Sequence, residues 1–83
     1  MRPSEYLQKW MPIKYGIHPN QRGYKTKAIL ELEEVTGLSG TSIKKWPNLE
    51  TNTAYVLKLL DYADLVNSLG IAMKKYKNTV AKL

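Results

Sequence analysis

The residues best suited to chemistry are short hydroxyl and cationic side chains in the stretch SGTSIKKW, residues 39–46. Hydroxyls at the start of a helix donate hydrogen bonds to phosphate oxygens alongside backbone N–H groups. Lysines one turn later reach phosphates, or guanine edges in the major groove of DNA. No acid in this stretch would repel a phosphate. The pattern indicates a nucleic-acid surface made of Ser39, Thr41, Ser42, Lys44 and Lys45.

A second basic stretch, HPNQRGYKTK at residues 18–27, comes shortly before the first. It interleaves Arg22, Lys25 and Lys27 with an aromatic residue, Tyr24. One interpretation is an arm whose cations contact the DNA backbone. The other is a solvated loop with Tyr24 packed into the core. Both interpretations stay open at this stage.

Other kinds of chemistry have little support in the sequence. There is no Cys, and the one His, His18, stands beside a proline, so no metal site is predicted. The acidic pairs Glu33–Glu34 and Asp61–Asp64 are expected to be ordinary charge on exposed helix faces. No glycine-rich phosphate loop and no nucleophile–base set is present. We therefore predict that the protein is not an enzyme and has no cofactor, metal ion or small-molecule substrate.

The charge of the chain points to a polyanionic partner. The sequence has 83 residues, with 13 basic and 7 acidic side chains and a net charge of +6. Six basic residues and one acidic residue lie within residues 1–27, and four basic and no acidic residues lie within 70–83. Basic flanks around a more acidic middle are expected to assemble a positive surface from separate segments.

The same composition predicts a soluble cytoplasmic protein. No apolar run approaches the roughly 18 residues that a membrane helix needs, and the N-terminus has no apolar signal core. The absence of Cys fits a reducing compartment. We expect no membrane partner.

Helical periodicity dominates and predicts an all-α fold, a single domain over residues 1–83 built as a small bundle of four or five helices. Residues 1–25 form an N-terminal helix and a basic loop. The helix is expected to be capped by Ser4 and to end at Pro12. The next residues, to Lys25, read as a long loop or a small hairpin between 13–17 and 23–24.

Residues 26–47 are predicted to form two helices joined by a tight turn. Thr26 caps the first, and Gly37 ends it with a positive φ. Ser39 caps the second, which Pro47 stops. The side chains expected to face inward are Leu32, Val35, Leu38, Ile43 and Trp46.

The C-terminal segment, residues 53–83, carries an apolar stripe at alternating four- and three-residue steps, which is typical of coiled coils. Gly70 interrupts it, so the segment is one long helix or a pair of helices. A homodimer is predicted through this stripe; the alternative is that it fills a monomeric core. The stripe consists of Tyr55, Leu59, Tyr62, Val66, Leu69, Met73, Tyr76, Val80 and Leu83.

The central motif resembles the helix-turn-helix of phage-repressor-type transcription regulators. Leu32, the turn Thr36–Ser39, Ile43 and Trp46 carry this resemblance, which covers about residues 29–71 with the helix that follows. It implies a recognition helix, here residues 39–46, that enters the DNA major groove. At the position of Glu33 the family prefers a small residue, so this carboxylate is expected to bend outward or pair with a cation.

These observations together predict a small sequence-selective DNA-binding transcriptional regulator, with repressor-like architecture. Two alternatives stay open. One is an interaction adaptor that uses the same helices to bind an acidic protein. The other is a single-strand or RNA binder that stacks bases on Trp10, Tyr15 and Tyr24.

Overall fold

A computed structural model gives the fold of residues 1–81, with side chains described through Lys77. Its elements are α1 (Pro3–Tyr15), α2 (Tyr24–Thr36), α3 (Gly40–Lys44), a 3₁₀ turn (Pro47–Leu49) and α4 (Ala54–Ala81). The all-α prediction is confirmed for these residues, which contain four α-helices and no strand. No helix in this part of the chain is long and apolar enough to cross a membrane.

The core is formed where α1, α2 and the first half of α4 meet around α3. Tyr6 and Met11 of α1, Leu32 of α2, Ile43 of α3 and Leu60 of α4 are all completely buried. Val35, Leu38 and Trp46 are partly buried against this cluster. The inward positions predicted for the central motif are therefore confirmed.

Helix α1 runs past Pro12 and ends only at Gly16, which has φ 62°. The prediction that Pro12 ends this helix is wrong, although a proline in a helix removes one backbone hydrogen bond. The last turn is held from outside, because Lys14 and Tyr15 both hydrogen-bond to Glu31 of α2. Tertiary contacts thus outweigh the local preference of the proline.

The start of α1 also differs from the prediction that Ser4 caps it. The helix begins at Pro3, with Arg2 in the capping position. The Arg2 backbone N–H donates to the Glu5 carboxylate at 3.1 Å. Ser4 instead donates its hydroxyl to Glu50 at 2.5 Å. Its side chain thereby ties α1 to the segment that leads into α4.

The connection between α1 and α2 spans only residues 16–23, and no hairpin forms among these residues. The His18 N–H donates to the Gln21 side chain, and the Tyr24 N–H donates to the Gln21 carbonyl. These turns run directly into α2, which begins after Gly23 at φ 86°. Thr26 therefore lies inside the helix, and the prediction that it forms the cap is wrong.

Helix α4 is continuous through Gly70, so the C-terminal segment is one helix and not a pair. Its 28 residues make it about 42 Å long. Val56 and Leu60 are buried against the rest of the protein, whereas all residues from Ser68 to Lys77 are exposed. The second half of α4 thus projects beyond the packed domain.

Candidate nucleic-acid interface

The turn between α2 and α3 is built as the sequence predicted. Gly37 follows α2 with φ 73°, a conformation that other residues adopt only with strain. The Thr36 hydroxyl donates to the Leu32 carbonyl at 2.6 Å and accepts from the Leu38 N–H at 3.2 Å. Ser39 caps α3 by accepting from the Ser42 N–H at 3.3 Å. These local bonds fix the direction in which α3 leaves the turn.

The structure brings all five predicted contact residues of this motif to the surface. Ile43 is completely buried and anchors the inner face of α3. Ser39, Thr41, Ser42, Lys44 and Lys45 are all exposed. No carboxylate among the described residues forms an ion pair with Lys44 or Lys45. Their charges are therefore available to an external anion.

Helix α3 itself is short, at five residues, Gly40–Lys44. Two further backbone hydrogen bonds, from the Lys45 N–H to the Ser42 carbonyl and from the Trp46 N–H to the Ile43 carbonyl, extend the helical winding by part of a turn. Pro47 then begins the 3₁₀ turn, where Asn48 and Leu49 have φ values of 54° and 57°. Positive φ is uncommon for a leucine. The chain therefore changes direction after α3, and the recognition helix expected over residues 39–46 ends at Lys44.

A shallow groove beside α3 brings one residue of the basic stretch to the same surface. Lys25 from the start of α2 and Lys44 from α3 lie on this groove, with Glu33 as its one acidic member. Thr26, Ile29 and Leu30 make up the remaining wall. Of the second basic stretch, Lys25 thus lies on the same groove as Lys44.

Glu33 occupies the position where the resembled family prefers a small residue, and the fold accommodates it through a glycine. Its carboxylate lies directly against Gly40, where any Cβ atom would overlap it. The side chain is partly buried and forms no ion pair with the described residues. Of the two outcomes expected for Glu33, an outward bend or an ion pair, no ion pair is found among the described residues. Gly40 provides the space that a small residue at position 33 would otherwise provide.

The structure does not bring Lys27 to the groove. Its ammonium group lies over the ring of Tyr15, 5.8 Å from the ring centroid, on the side of α2 that faces α1. Residues two apart on a helix point in very different directions, which separates Lys27 from Lys25. Arg22 is exposed in the loop before α2.

The aromatic residues offered for base stacking are largely engaged within the protein. Trp10 is 2% exposed and donates its indole N–H to Asp64 at 2.8 Å. Tyr24 is partly buried against the core. The Tyr15 hydroxyl donates to Glu31 at 3.1 Å, and Lys27 covers its ring. A stacking platform needs open ring faces, so this arrangement does not favour the single-strand alternative.

A buried polar cluster around Glu31 was missed by sequence reasoning. Glu31 is 1% exposed and accepts hydrogen bonds from Tyr6 at 2.5 Å and Lys14 at 2.7 Å. Tyr6 in turn accepts from the side-chain amide of Asn67 in α4, at 2.9 Å. One sequence signal could have located it, because Glu31 lies three residues after the buried Ala28 and one before Leu32. That spacing puts it on the inward face of α2.

The chemistry of this cluster keeps Glu31 ionised. Burial raises its pKa, but the hydrogen bonds from Lys14 and Tyr6 outweigh burial and hold the pKa below its usual range. Burial and the hydrogen bond to Glu31 both raise the pKa of Tyr6. Every buried polar side-chain atom in the described part of the chain has a hydrogen-bond partner. The cluster is thus a satisfied structural network linking α1, α2 and α4.

The acids of α4 are not the free surface charge that the sequence indicated. Asp64 accepts from Lys9 at 2.7 Å as well as from Trp10, and these bonds anchor α1 to α4. The hydrogen bond from Lys9, with help from Trp10, lowers the pKa of Asp64. Asp61 contacts the α-amino group of Met1 at 2.7 Å but is 62% exposed. Asp64 therefore has a structural role, and Asp61 is largely open to solvent.

No protein-family model, characterised protein or solved structure matches this chain significantly. The resemblance to phage-repressor-type regulators therefore stays a prediction from the central motif.

Proposed function

We propose that this protein binds double-stranded DNA through the outer face of α3, and that it acts as a small transcriptional regulator. The observation that carries the proposal is the composition of that face. Thr41 and Ser42 present exposed hydroxyls there, and Ser39 donates its own hydroxyl to Ser42 at 3.1 Å. Lys44 and Lys45 add two charges without a described ion-pair partner. No bulky side chain on this surface prevents α3 from approaching the wall of a DNA groove closely.

The proposed contacts follow from the chemistry of these donors. Hydroxyls and lysines near the start of a helix bind phosphate oxygens and fix the orientation of the protein on the duplex. A lysine that points into the major groove can also donate to the O6 and N7 atoms of guanine. Lys25, at the rim of the groove beside α3, adds a phosphate contact from α2. Lys27 is a secondary contributor because it lies against Tyr15, and Arg22 is secondary because it does not line the groove beside α3.

Replacement of Lys44 and Lys45 by alanine tests the proposal. Each lost phosphate contact should reduce the slope of log affinity against log salt by roughly 0.9 units. We therefore expect weaker binding to duplex DNA and a flatter salt dependence for the double variant, measured by anisotropy titration at two salt concentrations.

The matched control is Gln8→Glu/Ser68→Glu, which lowers the net charge by the same two units at exposed positions of α1 and α4. The control should keep most of the salt slope. Equal loss in both double variants would show that only net charge matters, and unchanged binding by Lys44→Ala/Lys45→Ala would exclude α3 as the interface. Tight binding of an acidic protein without salt-dependent DNA binding would favour the adaptor alternative.

A further inference from the structure

The outward face of α4 is an exposed apolar surface. Tyr62 is 63% exposed, Met73 is 60% and Tyr76 is 71%. Leu65 and Ile71, which lie off the predicted stripe, are exposed as well. Contiguous apolar surface of this kind on a small protein marks an interaction site. Leu59 is partly buried, and the last two stripe positions, Val80 and Leu83, fall outside the described side chains.

The packed domain uses only the start of this surface. Val56 and Leu60 are buried, Ala63 packs beside them, and Asn67 bonds to Tyr6, so these four mark the inward face of α4. The stripe lies about 100° around the helix from this face. Tyr55 at its start donates its hydroxyl to the Thr36 carbonyl at 3.2 Å, whereas the stripe positions from Tyr62 to Tyr76 are exposed. Beyond Asn67 the helix is only shallowly covered: Gly70, Ile71 and Lys74 border a surface groove with the end of α1, and residues 68–77 are all exposed. A projecting helix of a few turns is marginally stable in water unless its apolar side is covered.

We propose that a second copy of this chain covers the surface, with the two α4 helices packed antiparallel. The charges of α4 select this arrangement. Lys74, Lys75 and Lys77 lie in its second half, and no described residue after Asp64 is acidic. A parallel pair would place these lysines side by side. An antiparallel pair places them along the first half of the other helix, which carries Lys58, Asp61 and Asp64 and so has a net charge of −1.

The spacing of the stripe permits registers that differ by whole heptads, and the proposed register pairs residues 59–76 of the two copies. In antiparallel coiled coils a residue of one heptad core position meets a residue of the other position across the interface. Leu59 then meets Tyr76 of the second copy, Tyr62 meets Met73, and Val66 meets Leu69. The two-fold axis therefore passes between Val66 and Leu69, and the contact of Met73 with Tyr62 is a favourable sulfur–aromatic pair.

Sedimentation of the full chain without DNA tests the association. We expect a dimer, and we expect Val66→Glu to weaken it by roughly a hundredfold, because two carboxylates would be buried beside the axis without partners. Ser68→Glu is the matched control, as it adds the same charge at an exposed position of α4 off the stripe. Val66 borders the same surface groove as Trp10, but Val66 is exposed and Trp10 is buried, so both variants should keep most of the near-ultraviolet signal of Trp10.

Cysteine crosslinking tests the antiparallel register, and the chain contains no cysteine of its own to interfere. Chains carrying Leu59→Cys and chains carrying Tyr76→Cys are mixed and oxidised, and the products are identified by mass. We expect the mixed disulfide to dominate. Dominance of the Tyr76→Cys homodisulfide would show a parallel pair and overturn the proposal. A wild-type chain that sediments as a monomer and binds only vesicles of acidic lipid would also overturn the proposal. The inference does not depend on DNA binding, because neither measurement includes DNA.

Discussion

Glu31 shows how a single side chain organises this small protein. It is fully buried, and it receives hydrogen bonds from Tyr6, Lys14 and Tyr15 of α1. A buried carboxylate is destabilising unless it is paired and its remaining acceptor sites are filled. Here both conditions are met, so the last turn of α1 and the middle of α2 are held at one distance and orientation.

The stability of the fold should fall as pH falls through the acidic range. The pKa of Glu31 lies below its unfolded value of about 4.3, so the ionised form stabilises the fold above that pH. This stabilisation is lost as pH falls through the folded pKa, and Asp64, whose pKa is lowered by Lys9 and Trp10, contributes with the same sign. Denaturant unfolding between about pH 7 and pH 3 measures the loss.

The contribution of Glu31 can be isolated with two amide substitutions. Glu31→Gln should unfold more easily than wild type at neutral pH, and the difference in unfolding free energy should shrink toward pH 3. Glu34→Gln, at an exposed position of the same helix, should follow the wild-type curve. If the free energy of unfolding falls equally steeply with acid in Glu31→Gln and in wild type, Glu31 is not the group being protonated.

Above about pH 10, the raised pKa of Tyr6 predicts a second decline in the free energy of unfolding, because the unfolded state then loses that proton first.

At the scale of elements, two glycines have opposite roles in their helices. Gly37 ends α2 with φ 73°, where a side chain is strained. Gly70 lies within α4, and a Cβ placed there would meet no atom within 4 Å. In a helix interior, glycine is less favourable than alanine by about 1 kcal/mol.

The same substitution at these two positions should therefore have opposite effects. Gly70→Ala should raise the free energy of unfolding by roughly 1 kcal/mol, because it favours the helix and displaces nothing. Gly37→Ala should lower it by about 1 kcal/mol, because the turn needs a positive φ. Chemical denaturation followed by circular dichroism gives both values. A gain at position 37 would show that the turn relaxes into another conformation, and a loss at position 70 would show that α4 bends there.

Local rules were enough to predict some elements but not others. The cap at Ser39, the glycine turn at 37 and the buried Ile43 depend on residues close in sequence, and all were predicted. The length of α1 was not, because it depends on Lys14 and Tyr15 reaching Glu31, which lies 17 and 16 residues away. The start of α2 was misplaced for a related reason. Gln21 bonds organise the preceding loop into turns that lead into the helix.

In the candidate site too, features that depend on nearby residues could be predicted, and features that depend on packing between helices could not. Exposure of the α3 residues followed from helical periodicity, since Ile43 alone could face inward. The separation of Lys25 from Lys27 follows from the same periodicity once α2 is known to begin at Tyr24. The fit of Glu33 against Gly40 could not be predicted, because it requires the packing of α2 on α3.

At the scale of the whole molecule, the packed domain and the projecting half of α4 are separate surfaces on one chain. The α3 face carries short donors and lysines, and the outward side of α4 carries the apolar stripe. If both proposals hold, the dimer presents two α3 faces related by a two-fold axis. Two linked contacts bind a long duplex far more tightly than one, because the second contact forms at a high effective concentration.

Duplex length should therefore control the effect of losing the dimer. Val66→Glu should weaken binding to a duplex of about 40 base pairs by at least roughly tenfold, since only the long duplex has room for both α3 faces. A duplex of about 10 base pairs accepts one face, so its affinity should change by no more than about twofold. Ser68→Glu adds the same charge and should leave both affinities near wild type, which separates loss of the dimer from simple repulsion of phosphate. If Val66→Glu and Ser68→Glu weaken binding to both duplexes equally, the effect is due to charge alone. If the Val66→Glu chain sediments as a monomer yet binds the long duplex with wild-type affinity, DNA binding needs only one α3 face.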